Sequence, residues 1–220
     1  MRKTVFCLAT LLVSTSLASA APRLTHKGEA HVPPVRANQA HTLYDQSGDD
    51  SGIGIVSQNF ESSFDVYDCE GADDFVVPEG VRWKITEVDV VGTYFDGAGP
   101  SRSLNIVFYK DKRRAPGREI ARFDEVVGDD DGNGSFRVPL AHGPKLKPGH
   151  YWLSVQSNQD FGLAGEWGWE TSTGVVRFPA KWRNPGDGFD TGCSDWGDMQ
   201  NCIQSEGAGD YLFALRGRET

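Results

Sequence analysis

Leu104-Asn105-Ile106-Val107-Phe108-Tyr109 decides the fold. Leu104, Ile106 and Phe108 alternate with their neighbours and share one face of an extended chain, a period of two that no helix produces. The same alternation recurs outward along the chain, at Phe136, Val138 and Leu140, at Tyr151, Leu153 and Val155, and at Tyr211, Phe213 and Leu215. Further strands are expected over 74–77, 83–91, 119–127 and 175–178. Turn residues divide them: Pro78-Glu79-Gly80, Asp96-Gly97-Ala98-Gly99-Pro100, Asp131-Gly132-Asn133-Gly134 and Lys147-Pro148-Gly149. No long window keeps a period of 3.6, so helix should be minor. Short strands punctuated in this way predict an all-β, antiparallel β-sandwich, jelly-roll-like, over residues 43–217. The stretch from Gly162 to Ala208 is rich in Gly and Trp and poor in alternation. Long loops are expected there, and loops on a rigid scaffold are where binding residues concentrate.

The first twenty residues read as an address. Arg2 and Lys3 precede an apolar run from Thr4 to Leu17, and Ala18-Ser19-Ala20 supplies the small-residue site that a leader peptidase needs. That run is shorter than the roughly 20 residues required to span a bilayer, and no later segment reaches that length. A secreted protein, extracellular or periplasmic, with no membrane span is expected to begin at Ala21. Residues 21–42, APRLTHKGEAHVPPVRANQAH and Thr42, lack apolar periodicity and read as a flexible N-terminal arm or a short pro-segment. The irregularly spaced His26, His31 and His41 do not form a metal-ligand pattern.

The whole chain carries 22 Lys+Arg against 31 Asp+Glu, a net charge of −9. Removing the leader takes away two cations and no anion, which leaves −11. So acidic a molecule repels phosphate backbones, and nucleic acid is not an expected partner. Cys69, Cys193 and Cys202 remain after the leader. The short separation of the last two favours their pairing in an oxidising compartment, although Cys69 pairing with either stays open. Otherwise Cys69 is expected to be buried and inert.

Taken in order, DDFVVPEG (73–80), WKITEVDVVGTYF (83–95), LKPGHYWLSVQ (146–156), GEWGWE (165–170) and NPGDGFDTGCSDWG (184–197) resemble a β-sandwich domain family of secreted bacterial proteins, found alone or beside extracellular enzymes and adhesin-like repeats. The resemblance covers roughly residues 43 to 217. It implies the sandwich architecture, an extracellular setting and a Cys193–Cys202 disulfide, and it transfers no active site.

Catalytic constellations do not assemble. Gly48-Asp49-Asp50-Ser51-Gly52 departs from the nucleophile loop of chymotrypsin-like proteases by an extra Asp and a missing Gly, and neither G-x-S-x-G nor H-E-x-x-H occurs. His142 and His150 lie about strand openings and are expected to be solvated. Glu166 and Glu170 flank Trp167-Gly168-Trp169; on one strand they would share a face roughly 13 Å apart. Glycosidase carboxyl pairs need roughly 5 to 9.5 Å, so only a turn between them would serve. Asp129, Asp131, Asn133 and Gly134 follow the opening of a calcium loop, but Leu140 stands where the bidentate Glu belongs. Ca²⁺ there is a candidate, with Asp187 and Asp190 a weaker second, and no cofactor is required.

Five of the six tryptophans, Trp152, Trp167, Trp169, Trp182 and Trp196, fall within the last seventy residues. Trp152 points away from the Tyr151, Leu153 and Val155 face, and Trp167 and Trp169 share a face. Indole planes among Asp, Asn, Gln and Glu are materials for stacking sugar rings, and large apolar areas of this kind also roof a core. The expectation is a monomeric, non-catalytic module that binds an extracellular glycan or cell-surface component through these tryptophans. A structural or adhesion module using edge strands and acidic loops is the alternative, and a hydrolase with an unrecognised site is a further one.

Overall fold

The structure, a computed structural model, describes residues 21–28, 30 and 41–220. The leader and the rest of the N-terminal arm, residues 29 and 31–40, lie outside the described residues. Strand accounts for 50% of the chain and helix for 8%, so the alternation in the sequence is realised as an all-β fold. Among the described residues, no helix is long and apolar enough to cross a membrane.

Two sheets form the main sandwich. One runs in the order Gly197–Asp198, Lys181–Arg183, Glu70–Val77, Gly149–Asn158, Ser103–Asp111 and Pro116–Val126, with Gln58–Asn59 pairing in parallel beside Gly149–Asn158. The other runs Asp129–Asp130, Phe136–Pro139, Trp83–Val90, Phe213–Glu219 and His41–Asp45, with Lys145–Leu146 also pairing with Trp83–Val90. Phe75 sits between them. Its ring lies 5.7 Å from Tyr151 and 6.3 Å from Phe108 in its own sheet, and 6.4 Å from Trp83 and 6.5 Å from Phe213 in the facing one. The alternating residues Leu104, Ile106, Phe108, Leu153, Val155 and Leu215 all point into this layer and are fully buried.

A third sheet, of four strands, goes beyond the two-layer expectation: Thr25–Lys27, Asp50–Val56, Glu166–Ser172 and Gly92–Phe95. Tyr211 joins it to the sandwich. Its ring stacks on Trp169 at 4.5 Å and lies directly over Gly71, where a Cβ would come within 2.6 Å of it. Only glycine allows that approach. The Tyr211 amide donates to Asp73 Oδ2 at 2.7 Å.

Two sequence expectations are corrected. The N-terminal arm contributes strands to the fold: Thr25–Lys27 pairs with Asp50–Val56, and His41–Asp45 with Phe213–Glu219. Short chain pieces without periodicity are ordered here by edge pairing, a tertiary effect that local pattern does not encode. Conversely, 175–178 is not a strand. Its amides go to buried carboxylates: Phe178 N–H donates to Asp74 Oδ1 at 3.1 Å, Ala180 N–H to Asp210 Oδ1 at 3.1 Å, and Val176 N–H to Asp210 Oδ2. Val176 and Phe178 thus give their amides to side chains and not to a neighbouring strand. Cys193 and Cys202 are disulfide-bonded, and Cys69 is free and buried, its thiol pushed up by loss of solvent.

Candidate binding groove

Four of the five tryptophans cannot offer a ring to a ligand. Trp152, Trp167, Trp169 and Trp182 are all 0% exposed. Each indole N–H is spent on a structural acceptor: Asp111 Oδ1 for Trp152 at 2.9 Å, and the carbonyls of Gly134, Leu212 and Val56 for Trp167, Trp169 and Trp182 at 2.7 to 2.8 Å. They act as pins between loops and sheets. Trp152 does point outward from the main core, but a second apolar layer of Tyr109, Phe178 and Trp196 seals it. Trp196 alone is partly open, and the Arg183 guanidinium covers its ring at 4.4 Å. The stacking platform drawn from sequence is therefore corrected: four of its five tryptophans are core residues, and the fifth, Trp196, is half-buried under Arg183.

The calcium-like turn is closed by its own backbone. Asp131 Oδ1 accepts the amides of Asn133 at 2.8 Å and Ser135 at 3.2 Å, while Asp130 accepts those of Gly132 and Gly134 and the Tyr94 hydroxyl. Asp129 and Asp131 have partners of their own, and among the described residues no group of three or more His, Cys, Asp or Glu is placed to hold a metal. Asp187 accepts the Gly192 amide at 2.9 Å in a turn organised by buried Asn184, and Asp190 lies exposed in that turn.

Glu166 and Glu170 share one face of the continuous strand Glu166–Ser172, so no turn shortens the roughly 13 Å between them. Both are buried, and loss of solvent pushes each carboxyl up to about 8; the nearby Asp50 adds to this at Glu170, and Arg23 opposes it at Glu166. Two neutral acids that far apart do not make a nucleophile and acid pair. His150, expected in solvent, instead lies in the strand Gly149–Asn158, bonded to the Asp74 carboxylate and stacked on Phe178 at 4.5 Å. His142 is exposed in a turn.

A different site forms where one end of the sandwich opens. Lys145–Leu146 belongs to one main sheet and Gly149–Asn158 to the other, so the Lys147-Pro148 turn crosses between layers. That crossing, with the adjoining parts of Trp83–Val90, Ser103–Asp111 and Pro116–Val126, encloses a groove of about 640 Å³. This is within the usual size of small-ligand sites, roughly 300 to 1,000 Å³. Lys84, Lys110, Arg118, Lys145 and Lys147 wall it with His142, and no Asp or Glu lines it. Its apolar lining comes from Ile120, Ala121, Leu146, Pro144 and Pro148. None of the five cations is in an ion pair among the described residues. Lys84 Nζ donates to the Gly143 carbonyl, Lys110 Nζ lies 4.2 Å from the centre of the Tyr151 ring, and the Tyr151 hydroxyl donates to the Lys147 carbonyl at 2.8 Å. These contacts fix the walls without neutralising them.

Sequence reasoning missed this site. Its signal was the basic run from Lys110 to Arg118, with Lys112, Arg113 and Arg114 between them, and the pair Lys145 and Lys147 on either side of one apolar residue. Fold and groove together define an all-β, antiparallel, sandwich-like protein with a disulfide-tied loop and a basic cleft at one end. No family model, curated protein or solved structure matches the chain.

Proposed function

We propose that this is an exported, non-catalytic binding module whose ligand is an extracellular carbohydrate bearing negative charges, held in the basic groove. One observation carries the reading: five cations without carboxylate partners among the described residues converge on one cleft in a chain of net charge −9. Like charges brought together in this way repel one another, a cost that an anionic ligand removes. The apolar lining suits the C–H faces of sugar rings, and the cations suit uronate carboxylates or sulfates arranged along a chain. Single-stranded nucleic acid would need open aromatic faces for its bases. Tyr151 is 5% exposed, with Lys110 over its ring, and offers none. Export follows from the leader, and the Cys193–Cys202 disulfide fits an oxidising compartment.

The test is titration of the mature protein with polygalacturonate, alginate and heparin, and with neutral glucans as the second arm. Saturable binding to an acidic polymer is expected. Arg118→Ala with Lys145→Ala, both at exposed positions, should weaken it at least about tenfold, one bridging contact being worth about 1.4 kcal/mol or more. Equal binding of neutral glucans, or a variant indistinguishable from wild type, would overturn the proposal.

A further inference from the structure

Glu166 is 0% exposed, and only one of its two oxygens is satisfied. Oε1 accepts the backbone N–H of Arg23 at 2.7 Å, and Oε2 has no partner. The Arg23 guanidinium is committed elsewhere, to Asp96. A buried carboxyl with an orphaned oxygen calls for an explanation. The chain segment beside it supplies one. Residues 22–28 are held firmly: the Leu24 carbonyl accepts from Val56 N–H at 3.0 Å, Gly28 N–H donates to the Gly52 carbonyl at 2.7 Å, and the His26 ring stacks on Phe95 at 5.4 Å. Pro22 is buried and Ala21 exposed, so the polypeptide enters the fold between them. That entry point directly follows Ala18-Ser19-Ala20, the small-residue site at which a leader peptidase would cut.

Two residues of chain span at most about 7 Å, so the nitrogen of Ala21 lies within that distance of the Arg23 amide already bonded to Glu166. Pro22 fixes its own φ near −65°, which limits how the preceding residue can swing. We propose that cleavage after Ala20 completes this contact, the new α-ammonium group of Ala21 pairing with the free oxygen of Glu166. Hydrolysis of the Ala20–Ala21 amide consumes one water, leaves a carboxylate on the departing leader and a protonated amine on Ala21. Glu166 then releases its proton to solvent and becomes the carboxylate partner. While the leader is attached, the Ala21 nitrogen is an uncharged amide and Glu166 stays a neutral acid, kept so by burial. Processing thus places a cation beside the buried carboxyl of the third sheet and locks the N-terminal strand.

The inference rests on the export reading, and the two fail separately. Mass spectrometry of the exported protein gives its first residue; a terminus other than Ala21 sinks the processing step. The pairing is tested on three purified forms: one beginning at Ala21, one carrying a Gly-Ser extension before it, and one acetylated on the Ala21 amine. Acylation of the free α-amine at pH 7 should be at least about tenfold slower than in the peptide Ala-Pro-Arg, a factor equivalent to one pK unit. Extension and acetylation should lower the melting temperature alike, and Glu166→Gln should abolish both the protection and the difference. An amine that reacts at the peptide's rate, or three forms that melt together, would overturn the pairing; the acetylated wild-type chain keeps the test decisive should Glu166→Gln fail to fold.

Discussion

The tryptophans show how far a single residue can be read from its sequence context. Alternation in Tyr151, Leu153 and Val155 correctly places Trp152 on the opposite face, yet that face is roofed by Phe178 and Trp196, from segments distant in sequence. Trp169→Ala, which also removes the contact with Tyr211, should cost about 3–5 kcal/mol in urea unfolding. Iodide should quench only a small part of the native fluorescence, with Trp196 the accessible indole among the five. Strong quenching throughout would contradict the burial. Glu170 makes a second residue-scale test. It titrates near the ordinary 4.5 when unfolded and about 8 when folded, raised by burial and by the neighbouring Asp50. Between those values the folded state binds more protons, so stability is greatest below pH 4.5 with respect to this group and is lost as pH rises through 8. Each pH unit within the window costs up to about 1.4 kcal/mol. Urea titrations at pH 5 to 8.5 should show that decline, and Glu170→Gln should make it shallower, the remaining slope coming from other buried acids such as Glu166.

At the scale of elements, strands were legible where one face meets the core, because burial imposes the period of two. Leu104, Ile106 and Phe108 are all at 0% exposure, as that rule requires. The third sheet was not legible: Ile53 and Ile55 alternate in Asp50–Val56, and Trp167 and Trp169 in Glu166–Ser172, but each alternating run holds only two large apolar residues, with Gly52 and Gly54 in one strand and two buried acids and Gly168 in the other on the opposite face. The same blindness applies to the groove, whose cations come from strands and turns far apart in sequence and converge only after the sheets stack. Residues 175–178 failed in the opposite sense, since Val175 and Val176 look like strand residues but are 45% and 46% exposed. Two amides of this loop, those of Val176 and Ala180, are held by Asp210. Asp210→Ala removes both acceptors and should loosen the loop. Trypsin under native conditions should then cut after the exposed Arg177 markedly faster than in wild type, with the rest of the fold intact by circular dichroism. An unchanged cutting rate would show that the carboxylate does not hold the loop.

For the whole molecule, the decisive contrast is between a strongly acidic chain and one basic cleft. On the proposed reading, long-range attraction of a polyanion is opposed by the net charge, −9 for the whole chain and −11 without the leader, so binding would rest on short-range contact inside the groove. At ordinary ionic strength the Debye length is about 8 Å, which hides the distant acidic surface from a ligand already seated among the five cations. Low salt removes that shielding from attraction and repulsion together. A flexible acidic oligosaccharide can lie within the cleft and feel mainly its walls, whereas a stiff duplex must also approach the acidic surroundings. Oligogalacturonate is therefore expected to bind more tightly than duplex DNA of equal total charge, with the preference widening as salt is lowered from 150 to 50 mM. At 500 mM, where the Debye length falls to about 4 Å, binding of the oligosaccharide itself should drop at least about tenfold. Salt-insensitive binding would mean that the apolar lining and not the lysines holds the ligand, and DNA binding as tightly as the oligosaccharide would mean that the surrounding acids do not set the selection.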